Sequence, residues 1–468
     1  MKKLTLILTV FLLIPMGCDF GDINTDPTRN SEASLTEMLP VAITQSARNI
    51  GSIGGRVAGT VVQHWTGISA QPESYTNYLI DENTLTTFWE TGLYAGAMKD
   101  CALIIEQAQE KGQPYYEGIA RVLMAFNLGI ATSFWGDVPY SEALKGSESL
   151  KAAYDPQEQV YESIQRLLDE AIVLFESDPV VGGPTVDDLI FRGDAALWRK
   201  TAYALKARYT MHLSRRDPNA AEETLALIDS AFSSSEEQPA FLFGNTNNES
   251  NPIALYGKER PNQMDVGHYL VDTLMASNDP RRLKYWVFSN DQYMYYQYDN
   301  PNLVWAQQNS PLSLISYTEI MFLKAEAYLR TGEVNLASQT YSLALIQNMK
   351  ELGISSEQYN PYLAKNAGFG KFTEFEGRLE RIITQKHIAL YGQNPGEAWV
   401  DYRRTGYPLL ELPANANSSY NPSLVIPRRF LYPISERTTN QVSYTAAIER
   451  QGGHLMDVDM WAFQPSGK

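Results

Sequence analysis

Two stretches of the sequence concentrate aromatic and amide side chains outside the helical pattern. The first runs from Gln63-His64-Trp65 through Gln71 to Tyr75, Asn77 and Tyr78. The second runs from Tyr285-Trp286 through Tyr293, Tyr295, Tyr296 and Tyr298 to Asn302 and Trp305. A flat ring stacks on the C–H face of a sugar, and a phenol or indole N–H can bond its hydroxyls. Neither contact needs deep burial, which suits a surface-exposed capture site. Trp65, Tyr75, Tyr78, Trp286, Tyr295, Tyr296 and Trp305 are therefore the candidate ligand-binding residues, in a chain with 28 Tyr and 8 Trp in 468 residues. Alternation of Tyr293 with Tyr295, and of Tyr296 with Tyr298, would place rings on opposite faces of a strand, one on the core and one toward ligand. On this reading Trp65→Ala or Trp286→Ala weakens binding and leaves the thermal midpoint nearly unchanged, whereas a large fall in midpoint assigns the ring to the core. Trp89, Trp198 and Trp399 lie on helix-like segments and read as core.

Covalent chemistry finds no comparable set. His64, His212, His268, His387 and His454 are dispersed, with no HExxH spacing, and there is no CxxC. The glycines at 51, 54, 55 and 59 satisfy neither GxGxxG nor a phosphate loop, and Ser69 lacks the second glycine of a nucleophile elbow. A helical glycoside hydrolase needs two carboxylates about 5–9.5 Å apart across a cleft. Nothing among the 54 acidic residues singles out such a pair. No catalytic residue, metal ligand or cofactor is expected.

Charge and the first residues bound where the chain works. With 38 Lys+Arg against 54 Asp+Glu the formal charge is −16, and no basic cluster could neutralise phosphates, so nucleic acid is excluded as a partner. Lys2 and Lys3 precede a predominantly apolar stretch of 13 residues from Leu4 to Met16, too short for the roughly 20 of a spanning helix but fitting an export signal over 1–17. Gly17 before Cys18 resembles a bacterial lipobox, with Pro15 where an aliphatic residue is usual. Cys18 is the expected lipidation site, and residues 18–34 the lipidated N-terminus and linker. Asp19, Asp22 and Asp26 resemble the surface-export signal of Bacteroidetes lipoproteins. Cys101, inside a helical pattern, reads as a small core residue without a disulfide partner.

The elements that must position the aromatic stretches are helical. From Leu35 onward apolar residues recur three and four apart over 84–109, 115–134, 157–176, 194–213, 219–232, 316–330, 334–351 and 376–391. Asp155-Pro156, Asp194 and Asp217-Pro218-Asn219 are start signals. The segments 178–188, 244–263 and 411–423 read as loops, and strands are short, at 285–288 and 293–298. Ala325, Tyr328, Gly332, Ala337, Tyr341, Ala344 and Leu345 follow the spacing of a tetratricopeptide repeat, in which small residues let two antiparallel helices approach. Two degenerate copies are legible, 115–134 with 157–176 and 194–213 with 219–232. Arg403 and Arg404, near Glu397 and Asp401, read as charge pairs fastening a helix end.

Taken in order, several short segments resemble SusD/RagB-type outer-membrane lipoproteins, most closely the SusD-like type 2 subfamily. They are Phe20 to Pro27, Phe134-Trp-Gly-Asp-Val-Pro-Tyr140 with Glu142-Ala-Leu144, and Tyr154-Asp-Pro156. Further on come Gly193-Asp194 with Trp198, Ala204 to Arg208, Ser316 to Glu319 with Lys324 to Ala327, and Glu397-Ala-Trp399. Arg403 to Pro408 and Ile426 to Pro433 close the series. The resemblance spans nearly the whole mature chain. It implies a mostly α fold in residues 35–468, with about four tetratricopeptide-like helix pairs supporting a loop-rich ligand-binding region with short hairpins. It also implies a non-enzymatic lipoprotein on the outer surface, held in the outer membrane by its lipid. Such a protein passes oligosaccharide to a SusC-type TonB-dependent transporter; RagB-like relatives take peptide. A helical glycoside hydrolase and a pure protein-binding scaffold are the alternatives of other classes.

Overall fold

The computed structural model describes residues 33–146, 151–297 and 300–466; the export signal, Cys18 and most of the linker lie outside the described residues. Helices α1 (Leu35–Gly51), α2 (Ile53–Val61) and α3 (Ala70–Thr76) lead through a π-helical stretch, Phe88–Met98, into α4 (Lys99–Lys111). The stacked pairs follow. Helix α5 (Pro114–Trp135) packs on α6 (Gln157–Phe175), and α7 (Ala195–His212) on α8 (Ala220–Ile228). A less regular region then carries α9 (Pro252–Glu259), α10 (His268–Ala276) and α11 (Arg282–Tyr285). Helix α12 (Tyr317–Arg330) pairs with α13 (Val334–Glu351), followed by α14 (Ser356–Asn366). Helices α15 (Phe375–Leu390) and α16 (Pro395–Thr405) form the fourth pair, before α17 (Ile434–Thr439) and α18 (Gln441–Gln451).

The fold class is the one expected, mostly α with tetratricopeptide-like pairs. At the α12–α13 turn Gly332 has φ +85°, the left-handed region a glycine adopts without strain. Ala325, Ala337 and Ala344 are fully buried, and Tyr341 fills the space they leave. Asp194 caps α7, accepting from the N–H groups of Ala196 and Leu197. Helix α5 is long and apolar enough to cross a membrane, but it is the central core helix and nearly all of it is buried. Cys101 is a buried free thiol on α4.

Two expectations need correction. The Asn-rich 244–263 segment contains α9, because the Asn251 side chain accepts from Ile253 N–H and Pro252 sits in the first helical turn. Turn residues there start a helix. The second concerns Arg403. It forms no pair with Glu397; it donates to the carbonyls of Ser133 (2.6 Å) and Arg428 (3.0 Å) and lies 3.9 Å over the Trp399 ring. Arg404 does pair with Asp401, and also with Glu326 of α12.

That ion pair belongs to a buried charge network. Arg208 of α7 donates two bonds of 2.7 Å to Glu319 of α12, and His212 lies 2.8 Å from Glu397 of α16. Lys386 of α15 lies 2.9 Å from Asp401. Charges that are costly to bury singly are thus paired across four helices, fixing how the last two pairs sit on α7.

Candidate functional site

The less regular region presents small antiparallel pairings on one part of the array. Strand β1 (Trp65–Gly67) pairs with β5 (Met264–Val266), and β6 (Val287–Ser289) with β7 (Gln292–Met294); the other two-stranded ladders are β2 (Val138–Pro139) with β3 (Tyr154–Asp155) and β4 (Ala240–Phe241) with β8 (Leu312–Ser313). The β6–β7 hairpin closes through Asn290 (φ 51°) and Asp291 (φ 59°), a two-residue loop in which both residues are left-handed, as a twist-matched hairpin turn requires.

The hairpin sets three rings in a row. Phe288 stands opposite Tyr293 across the strands with ring centroids 4.8 Å apart, and Trp286 meets the Tyr293 ring edge-on at 6.0 Å. Exposure rises along the row, from Trp286 at 8% to Phe288 at 58%. Phe288 packs one side of its ring on Tyr293 and leaves the rest in water, where it offers a stacking face. The strand ends at Met294, so the expected alternation does not continue: Tyr295 turns into the core and Tyr296 is half-buried, while Tyr298 lies outside the described residues.

The other candidate residues separate accordingly. Trp65 is 1% exposed, with its ring 6.4 Å from Tyr295 and 5.9 Å from Tyr391. Trp65, Tyr295 and the half-buried Trp305 are brought together around a cavity of about 10 Å³ also lined by Tyr285 and Tyr391. That space holds one water at most. Tyr78 is buried in the main core with its hydroxyl toward the Val61 carbonyl, and Tyr75 is buried close by. The expectation for Trp65 is thereby revised. Trp65→Ala should cost about 3–5 kcal/mol of stability, as for a core aromatic, measurable by urea unfolding; a loss below about 1 kcal/mol would return the ring to the surface.

Two side chains that aromatic counting passed over complete the face. Arg56, on α2, is half-buried with its guanidinium 4.2 Å over the Tyr256 ring. Burial pushes its pKa down, while the nearby oxygens of Tyr295, Tyr256 and Tyr75 oppose that shift. Tyr256 donates to Gln263 (3.0 Å). From there a cleft of about 30 Å³ runs between Gly257, Arg260, Asn262 and Asp265 on one side and Met294 to Tyr296 on the other. Gly257 makes this approach possible: a Cβ there would lie 2.6 Å from Tyr296. The signal for Arg56 was weak, a lone cation in a glycine-rich helix. Phe288 could have been found from the Asn290-Asp291 turn, which places it opposite Tyr293.

Behind Trp65, His64 is fully buried with Nε2 2.9 Å from the His387 carbonyl, and the two imidazole rings lie 4.2 Å apart. Burial pushes His64 down to about 3 and His387 well below its ordinary value, with His64 adding to the second shift. Both are neutral at pH 7.

A family model described as "Starch-binding associating with outer membrane" (SusD-like type 2) matches residues 27–433. No curated protein matches. Among solved structures the chain is similar to a SusD/RagB family protein from Bacteroides thetaiotaomicron, at 25% identity and a TM-score of 0.76, covering 93% of this chain and 100% of that one. A SusD homolog from Bacteroides fragilis is similar at 20% identity and TM-score 0.76, over 93% and 100% of the two chains. A chitin-binding protein is similar at 23% identity and TM-score 0.74, over 92% and 100%.

Proposed function

Because the chain belongs to the SusD-like family of nutrient-binding proteins associated with the outer membrane, we propose that it captures oligosaccharide without cleaving it. It hands the ligand to a SusC-type TonB-dependent transporter. In this reading Cys18 carries lipid, and the anchored protein faces outward from the outer membrane. The observation that carries the proposal is the ring row Trp286–Tyr293–Phe288, which ends in solvent on a tight hairpin beside a cleft lined by Tyr295 and Tyr296. Stacking platforms of this kind hold sugar rings by contact alone, and the similar chitin-binding protein supports a carbohydrate ligand.

The full chain titrated with neutral oligosaccharides, chitin- and starch-derived among them, should bind at least one saturably. Phe288→Ala with Tyr293→Ala should weaken that binding by about tenfold or more, the loss expected for two stacking faces, with the unfolding free energy close to wild type. Unchanged binding in the double variant would put the site elsewhere, and no binding across the panel would remove the carbohydrate reading.

A further inference from the structure

Arg56 is out of place as a purely structural cation. Its guanidinium is half-withdrawn from water, yet among the described residues no carboxylate lies within ion-pair distance and none of its N–H groups donates a hydrogen bond. Among the fully buried arginines, Arg208, Arg281 and Arg404 each receive a carboxylate in bidentate or near-bidentate geometry, whereas Arg403 and Arg429 donate to backbone carbonyls instead. At Arg56 the Tyr256 ring covers one face, and the edge of the guanidinium, which carries its donors, is left without a partner. Arg260 lies beside the same ring in the same cleft, exposed and also without a carboxylate among the described residues. Asp265, the carboxylate lining that cleft, is buried and turned to a backbone N–H of Tyr293. One guanidinium, Arg260, lines the cleft, and a second, Arg56, lies over Tyr256, the residue next to Gly257 of the cleft wall, in a protein of net charge −16. The distant charges matter little there, because screening removes them beyond about 8 Å at physiological salt.

We infer that Arg56, stacked on Tyr256 and supported by Arg260, receives an anionic group of the ligand, so that the captured oligosaccharide is an acidic one bearing carboxylate or sulfate. The inference rests on the carbohydrate reading above and narrows its substrate class. A ligand anion would supply the counter-charge the fold omits, and the planar fork of a guanidinium takes a carboxylate or sulfate through two N–H donors. The Tyr256 ring beneath the guanidinium orients it before the ligand arrives, which lowers the ordering cost at binding.

The test uses the full chain and matched probes: tetragalacturonate, its methyl ester, a sulfated tetrasaccharide of chondroitin, and a Glu-rich tetrapeptide. Tetragalacturonate or the sulfated probe should bind about tenfold or more tighter than the neutral ester, the gain of one charge-assisted fork. The preference should fade at about 0.5 M salt. Arg56→Met should abolish the preference for the acid over the ester, while Arg56→Lys keeps part of it. Whichever anion wins identifies the group. Should Arg56→Met not fold, the wild-type preference and its salt dependence decide. Equal affinity for acid and ester, with neutral glycans bound, overturns this inference alone. No glycan bound at all overturns the carbohydrate reading and this with it. Arg56-dependent binding of the peptide only would overturn the glycan assignment in favour of a peptide carboxylate.

Discussion

Arg404→Met should destabilise the chain by about 3–5 kcal/mol in urea unfolding, the cost of leaving buried carboxylates uncompensated. The Arg404 guanidinium holds both oxygens of Glu326 at 2.5 Å and Asp401 Oδ1 at 2.6 Å, with all three side chains essentially out of solvent. Glu326 is kept well below the usual carboxylate range against its own burial, chiefly by Arg404 and then by Arg330. Removing Arg404 leaves Arg330 for Glu326 and Lys386 for Asp401, which is insufficient for two charges between α12 and α16. Adding Glu326→Gln to Arg404→Met should recover part of the loss, because the stranded charge is gone. Arg437→Met, which breaks a solvent-facing pair with Glu82, should cost far less. If the two arginine variants lose stability equally, the network is not what fixes the helix pairs.

The second large effect is acid sensitivity from the His64–His387 pair. The folded-state pKa of each is depressed by burial, to about 3 for His64 and well below ordinary for His387, while an unfolded histidine titrates near 6.5. Above pH 6.5 both states are unprotonated and the pair has no pH effect. Below it the unfolded chain takes up protons that the fold refuses, so stability falls as pH drops from about 6.5 toward 3. Each histidine contributes up to about 1.4 kcal/mol per pH unit. The buried carboxylates Glu326 and Glu397, also held low, act in a lower window, beginning near pH 4.5 where an unfolded glutamate titrates. The rings around the pair are Trp65, Tyr269 and Tyr391, none of which charges in this range. Unfolding free energy measured from pH 7 to 5 should slope steeply, and His64→Gln with His387→Gln should flatten the slope whatever it does to stability at pH 7. An unchanged slope would place the acid sensitivity elsewhere.

Why the helices were legible and the binding face was not has a physical basis. Burial on one side of a helix imposes a period that survives in the residue pattern: the expected 334–351 helix is α13 to the residue, and 157–176 is α6 within one. The repeat spacing around Ala325 and Gly332 worked for the same reason, since small residues and a left-handed turn are needed wherever two helices meet closely. Aromatic residues carry no such directional mark. Trp65 and Phe288 are chemically alike, yet one is 1% exposed and the other 58%. What separates them is tertiary: β1 threads Trp65 between Tyr295 and Tyr391, and a two-residue turn leaves Phe288 outside. Arg56 is similar, because its lack of a carboxylate depends on which side chains α2, α3 and α9 bring together. The charge network was half visible. Arg404 and Asp401 share a helix turn, whereas Glu326 lies 78 residues away in the chain.

The most direct measurement is a calorimetric titration of the full chain with its best-binding oligosaccharide, followed by chromatography of the recovered sugar. Capture by contact predicts saturable one-to-one binding and sugar returned at its original length. A shortened product, or heat that persists as turnover after saturation, would contradict it.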